Sequence, residues 1–166
     1  MIRFIAALLF AVSGFMWGNS RSMQLKRKVE VCVQLDELLR FFDMRVRYRC
    51  DDVYEICREL DAASFSSLDF ISLLPVDYSP CVDFHEAWCS AVTSQDELGD
   101  EEKNLLVRFG NVLGTCDAEG FHNAVEALRS ELDILGSRRR DEYSSKGRVC
   151  RSIGPMLGIV AGLAVI

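Results

Sequence analysis

Apolar residues recur along this chain at steps of three and four, the spacing that lines one face of an α-helix. Cys32, Leu35, Leu39, Phe42 and Val46 form the first such stripe, over four turns. Val53, Ile56 and Leu60 form a second, with Asp51 or Asp52 as its N-terminal cap. Leu68, Ile71 and Leu74 form a short third, capped by Ser66 or Ser67 and ended by Pro75. Val82, His85, Trp88 and Val92 share a fourth face, with Ser79 as cap and Pro80 in the first turn. Leu105, Leu106, Phe109, Val112 and Leu113 follow Asp100 as cap, and Gly114 is placed to take the left-handed conformation that ends a helix. Phe121, Val125, Leu128, Leu132 and Leu135 make the last and longest stripe, which Gly136 and Gly147 weaken by up to about 1 kcal/mol each. Alternating strand patterns are scarce and the connections are short. The expected fold is all-α: an antiparallel helical bundle of five or six helices.

Both ends of the chain depart from this amphipathic pattern. Residues 4–20 and 152–166 carry no charged side chain. Arg21, Lys26, Arg27 and Lys28 flank the first stretch on its inner side; Arg138, Arg139, Arg140, Lys146, Arg148 and Arg151 flank the second. Spanning a bilayer takes about 20 apolar residues. The first stretch reaches that if Arg3 snorkels to the far headgroups. The second, on the order of 22 Å long as a helix, spans only a locally thinned bilayer or inserts partway. Basic residues beside membrane helices mark the cytoplasmic side. The expectation is an N-terminal transmembrane helix over 1–20, a cytosolic bundle over 21–151 and a C-terminal membrane segment over 152–166, with both termini outside. A secretory signal peptide is the alternative for the first stretch. Against it, no small-x-small cleavage site follows, and a basic block does.

Charge sharpens that division. Of 25 acidic residues, 23 fall within 29–137, against eight basic ones. The basic ends suit an anionic lipid leaflet. The acidic body argues against nucleic acid, whose phosphates it would repel, and is compatible with a basic protein partner. Seven cysteines (Cys32, Cys50, Cys57, Cys81, Cys89, Cys116 and Cys150) are spread singly with no C-x-x-C, which suits reduced thiols rather than a disulfide framework. His85 and Cys89 are four residues apart, so a Cys/His pair fits on one helical turn; no third orienting group accompanies them, and a packed histidine is the plainer role for His85. No phosphate loop, nucleophile elbow or metal-ligand spacing is present. No catalytic, cofactor or metal site is expected.

Residues 109–122 read FGNVLGTCDAEGFH. This segment resembles the signature of the stage III sporulation protein AB family, in which a Phe-Gly…Leu-Gly helix end is followed by a Ser/Thr-Asp-x-Glu turn and a final helix. Phe109, Gly110, Leu113, Gly114, Asp117, Glu119 and Gly120 match, as do Arg151, Ser152 and Gly154 nearer the end. The likeness extends to LLRFFDMRVRY at 38–48, to the length and to both end anchors. Cys116, Phe121 and Pro155 depart from the pattern. A Ser or Thr at 116 would form a capping box with Glu119; a thiol caps poorly, leaving that role to Asp117 or Thr115. The resemblance implies a non-enzymatic, membrane-anchored assembly or adaptor subunit of the secretion-like channel complex between mother cell and forespore. Its implied neighbours are other channel membrane proteins, membrane lipid and a secretion-type ATPase. Phe109, Gly110, Gly114, Asp117, Glu119 and Gly120 are then the candidate partner-binding residues, and Arg21, Lys26, Arg27, Lys28, Arg138, Arg139, Arg140 and Arg151 the membrane-facing ones. The alternatives are a membrane-tethered thiol enzyme using Cys89 and a secreted helical protein.

Overall fold

The computed structural model describes residues 2–49, 51–60, 64–80, 82–114 and 117–147; for 2–15, 17, 18 and 147 it describes the backbone alone. Five α-helices occur among them: α1 Ile2–Arg49, α2 Val53–Glu59, α3 Phe84–Ser94, α4 Asp100–Val112 and α5 Ala118–Glu142. A 3-10 turn spans Asp69–Leu73 and a π-helical turn Tyr143–Gly147. No strand occurs among the described residues. The chain divides into two compact units, Glu30–Gly136 and Met1–Val29 with Ser137–Ile166.

Within Glu30–Gly136, two of the anticipated stripes pack as read. Cys32, Leu35, Leu39 and Phe42 of α1 are buried, with Val46 packed against the core, and Phe121, Val125, Leu128, Leu132 and Leu135 of α5 are buried. Polar pairs at the stripe edges set their register. Arg129 Nε donates to Asp36 Oδ1 at 2.8 Å, and His122 Nδ1 lies 3.0 Å from both Asp43 carboxylate oxygens. As α5 advances α1 recedes, so the two helices are antiparallel. Trp88 of α3, fully buried, joins α3 to α4. Its indole N–H donates to Leu106 O at 2.9 Å, and its ring lies 5.5 Å from Phe109, 6.0 Å from Phe42 and 5.4 Å from Phe70, centroid to centroid. Edge-on and tilted aromatic pairs at these separations gain on the order of 1 kcal/mol each beyond area burial. Arg45, with its guanidinium 5.0 Å over the Phe41 ring, bridges the chain reversal into α2 by pairing with Asp51 at 3.1 Å and with Glu59.

The stretch between α2 and α3 departs from expectation. No serine caps it. Leu68 precedes a 3-10 turn that lacks a side-chain cap, although Leu68, Ile71 and Leu74 are buried as read. Two buried glutamines hold it instead. Gln34 Oε1 accepts from Ser67 N at 2.8 Å; Gln95 Oε1 accepts from Phe70 N at 3.3 Å, and Gln95 Nε2 donates to Ser67 O at 3.0 Å. An irregular buried segment needs such partners for its backbone groups. The helix expected to open at Ser79-Pro80 opens at Phe84, where Asp83 Oδ1 accepts from His85 N at 2.9 Å. That later start leaves Val82 and His85 exposed and turns Trp88, Ala91 and Val92 inward. At α4 the cap is Gly99, with Asp100 as first helical residue.

In the other unit, Arg21, Lys26 and Lys28 are exposed, and Arg21 Nη1 donates to Gln24 Oε1 at 3.0 Å. Ser144 and Ser145 hydroxyls both donate to Asp141 O, at 3.1 and 2.7 Å. Such back-bonding competes with the helical ladder and suits a π-helical turn at this point. Among the described residues no helix is long and apolar enough to cross a membrane. Of the two expected membrane segments, 4–20 has its backbone in α1 but most of its side chains outside the described residues, and 152–166 lies wholly outside them, as does Arg151.

Candidate docking turn

The turn between α4 and α5 is built by a handful of residues with separate duties. Phe109 is fully buried, 5.3 Å from the Phe42 ring and 6.0 Å from Phe121. Gly110 is buried because the Trp88 indole lies across it: a Cβ there would sit 2.5 Å from Trp88 Cδ1. Leu113 closes α4, its N–H donating to Phe109 O at 3.2 Å. Gly114 follows at φ 76°, a backbone state that only glycine adopts cheaply. Thr115 and Cys116 lie outside the described residues. Asp117 then starts α5: its Oδ1 accepts from Gly120 N at 3.1 Å and its backbone O accepts from Phe121 N at 2.8 Å. Of the anticipated alternatives, Asp117 is the cap.

Six of the residues that match the signature are the candidate partner-binding residues, and the structure sorts them by burial. Phe109 and Gly110 face the core, Gly120 is half-buried, and Gly114, Asp117 and Glu119 are exposed. Asp117 and Glu119 therefore place two carboxylates beside the first turn of α5, where the helix dipole favours them. The same turn lies at the end of the body where α1 finishes. His122 reaches Asp43 there, and Arg47 Nη1 lies 3.5 Å from its Nε2. Asp43 can only accept and Arg47 can only donate, so the neutral ring that satisfies both is the one with its hydrogen on Nδ1. The sequence held a signal for this pair: each is the polar residue following a core aromatic, Phe42 and Phe121. The glutamine clamps carried no such signal.

The remaining sequence-level candidates fall elsewhere. Arg138 and Arg140 are exposed, and Arg139 is half-buried with Glu142 Oε2 at 3.8 Å. His85 is exposed rather than packed, and Cys89 Sγ lies 3.6 Å from its Nε2. The anticipated Cys/His contact therefore exists on the surface of α3. Cys32 and Cys57 are buried. Burial, with the nearby Asp52 charge, pushes the Cys57 thiol up to about 12 and keeps it protonated. No cluster of three or more His, Cys, Asp or Glu that could hold a metal ion occurs among the described residues.

The family model described as stage III sporulation protein AB matches residues 3–166. A search of curated proteins and a search of solved structures each return no match.

Proposed function

The chain belongs to the stage III sporulation protein AB family and is a sporulation protein, and from that premise we propose that it is a non-enzymatic assembly subunit of the secretion-like channel complex between mother cell and forespore. In this reading the chain is anchored in the mother-cell membrane by residues 4–20 and 152–166. The body is cytoplasmic, the termini lie outside, and the basic residues of both flanks meet anionic lipid. The turn at 114–120 docks a basic surface, which the resemblance makes that of a secretion-type ATPase, beside other channel membrane proteins.

The observation that carries the docking assignment is the split within the signature. Packing accounts for Phe109 and Gly110 and backbone conformation for Gly114, whereas Glu119 is exposed and Asp117 uses one carboxylate oxygen as a cap. Charge-assisted hydrogen bonds from a basic partner fit that arrangement. The test pairs melting temperature with co-purification for Asp117→Asn and Glu119→Gln. Near-native melting with lost co-purification of the channel proteins supports docking; loss that only tracks melting removes it. The topology has its own check: a membrane-impermeant thiol reagent should leave the half-buried Cys89 unmodified in intact cells and label it after permeabilisation.

A second reading, a membrane-tethered thiol enzyme, has the 3.6 Å Cys89–His85 contact in its favour. It requires Cys89→Ser to abolish a sporulation phenotype without changing assembly. The assembly reading expects that variant to sporulate normally.

A further inference from the structure

Three aromatic rings meet where the link into α3 passes α2. Tyr54 of α2 lies 5.6 Å from Tyr78, interplanar angle 90°, and 5.4 Å from Phe84, angle 77°. Phe84 in turn lies 6.2 Å from Trp88, so the cluster runs out of the core to the surface. It is open to solvent there: Tyr78 is 72 % exposed, Val76 45 % and Val82 43 %. Burial raises the Tyr54 hydroxyl above its ordinary value, and Tyr78, Asp52 and Asp83 raise it further, so both aspartates act electrostatically on this cluster. Asp77, next to Tyr78, is paired with Arg58 at 2.9 Å, a guanidinium already held at the patch edge. Tyr78 gives the packing of the body an edge-on contact with Tyr54 and leaves most of its surface to solvent.

We propose that this patch docks a protein partner through an arginine-bearing helix face, with a guanidinium over the open side of the Tyr78 ring and aliphatic neighbours against Val76 and Val82. Charge complementarity selects that occupant. Aromatic faces attract cations, and a planar guanidinium stacks on a ring where a hydrated ammonium does not. Asp52 and Asp83 add net negative charge, which disfavours an anionic lipid surface. A second copy fits less well, because the exposed arginines Arg40, Arg49, Arg58 and Arg108 of the body are each already paired with a carboxylate. The inference concerns a surface other than the 114–120 turn and rests on the assembly reading only for where the partner comes from.

The test uses the full chain in detergent micelles and a fluorescein-labelled synthetic helix of Leu, Ala and Arg, read by anisotropy. The same helix with Lys or Glu in place of Arg serves as comparison. The expected order is Arg tighter than Lys, with no binding for Glu. Tyr78→Ala should weaken the Arg helix about fivefold to tenfold, the range a desolvated cation–π contact supports. Asp52→Asn with Asp83→Asn should weaken it about fivefold and flatten its salt dependence, while keeping both helix caps, since Asn caps as well as Asp. Asp96→Asn with Asp133→Asn, carboxylates elsewhere on the acidic body, should leave binding unchanged; the aspartate variants should melt like the parent, and Tyr78→Ala slightly below it for the lost edge contact with Tyr54. Equal loss from the Asp96/Asp133 pair, indifference to Tyr78→Ala, or no binding overturns the proposal. Tyr78-dependent dimerisation by light scattering without peptide, or Tyr78-dependent binding to anionic vesicles, also overturns it by naming another occupant. A protein that binds the Arg helix yet fails to co-purify with channel proteins keeps the patch and removes the assembly reading; the reverse result removes the patch alone.

Discussion

Gly110 and Gly114 are four positions apart, yet a Cβ added at the first would sit 2.5 Å from Trp88 Cδ1 and at the second would meet nothing within 4 Å. Gly110 has ordinary helical backbone inside α4 and is small because a neighbour occupies its side-chain space. Gly114 has open space and is glycine because its φ is 76°. The family signature runs across both without distinguishing them. Its first half records how α3 packs on α4, and its second half records how the chain turns and what it presents. Substitutions in the first half should therefore report on folding, and only the second half can report on docking separately from folding.

The sharpest break in this contrast is expected at Gly110. Alanine gains up to about 1 kcal/mol of helix propensity over glycine. The methyl, however, meets an indole fixed by its hydrogen bond to Leu106 O at 2.9 Å, and overpacking costs about 1–3 kcal/mol. The clash wins, so Gly110→Ala should lower stability, and Gly110→Val should leave the body unfolded at ordinary temperature. Denaturant melts followed by circular dichroism measure both. Coupling to Trp88 is the decisive part: Gly110→Ala combined with Trp88→Leu should cost less than the sum of the two singles. Strict additivity would mean that Trp88 is not what keeps position 110 small.

Gly114 comes next. Left-handed backbone costs a side-chain-bearing residue about 1–2 kcal/mol, and no clash adds to it here. Gly114→Ala should fall in that range and Gly114→Asn below it, because Asn tolerates this conformation. Equal losses for Ala and Asn would point to a steric cause and erase the difference from Gly110.

Periodicity made the long stripes legible. Leu35, Leu39 and Phe42 on α1 and Phe121, Val125 and Leu132 on α5 are buried where the spacing puts them, because burial of one helix face is what the spacing encodes. Gly114 was legible too, since a glycine after an apolar helix end has few other reasons. The start of α3 was not. Ser79-Pro80 is a stronger local signal than Asp83, but local capping competes with the position of Trp88, and packing that indole on Gly110 fixes where the helix faces the core. The hold on residues 66–70 was equally hidden: Gln34 lies within α1 and Gln95 just past the end of α3, and no local pattern marks a glutamine that will satisfy another segment's backbone. Within the turn, the sequence picked out six candidate residues and could not tell the packed ones from the presented ones.

The smallest effects are expected at Asp117 and Glu119, and that smallness makes them informative. Asp117→Ala removes the acceptor for Gly120 N, 3.1 Å away, and loss of such a cap costs about 1 kcal/mol. Asp117→Asn keeps an acceptor oxygen and should cost a few tenths. Glu119 is exposed in the first turn of α5, where the dipole contribution of a carboxylate is about 0.3–1 kcal/mol, so Glu119→Gln should stay at or below that range. In 0.5 M salt, with a Debye length of about 4–5 Å, the Glu119 effect should shrink toward zero while the Asp117→Ala effect persists, because a hydrogen bond at contact is screened less than a dipole. Thermal melts of the four proteins at low and high salt separate these cases. A Glu119→Gln loss above about 1 kcal/mol, or one that survives high salt, would place that carboxylate in the structural half of the segment with Phe109 and Gly110, and would leave Asp117 alone on the surface the docking reading needs.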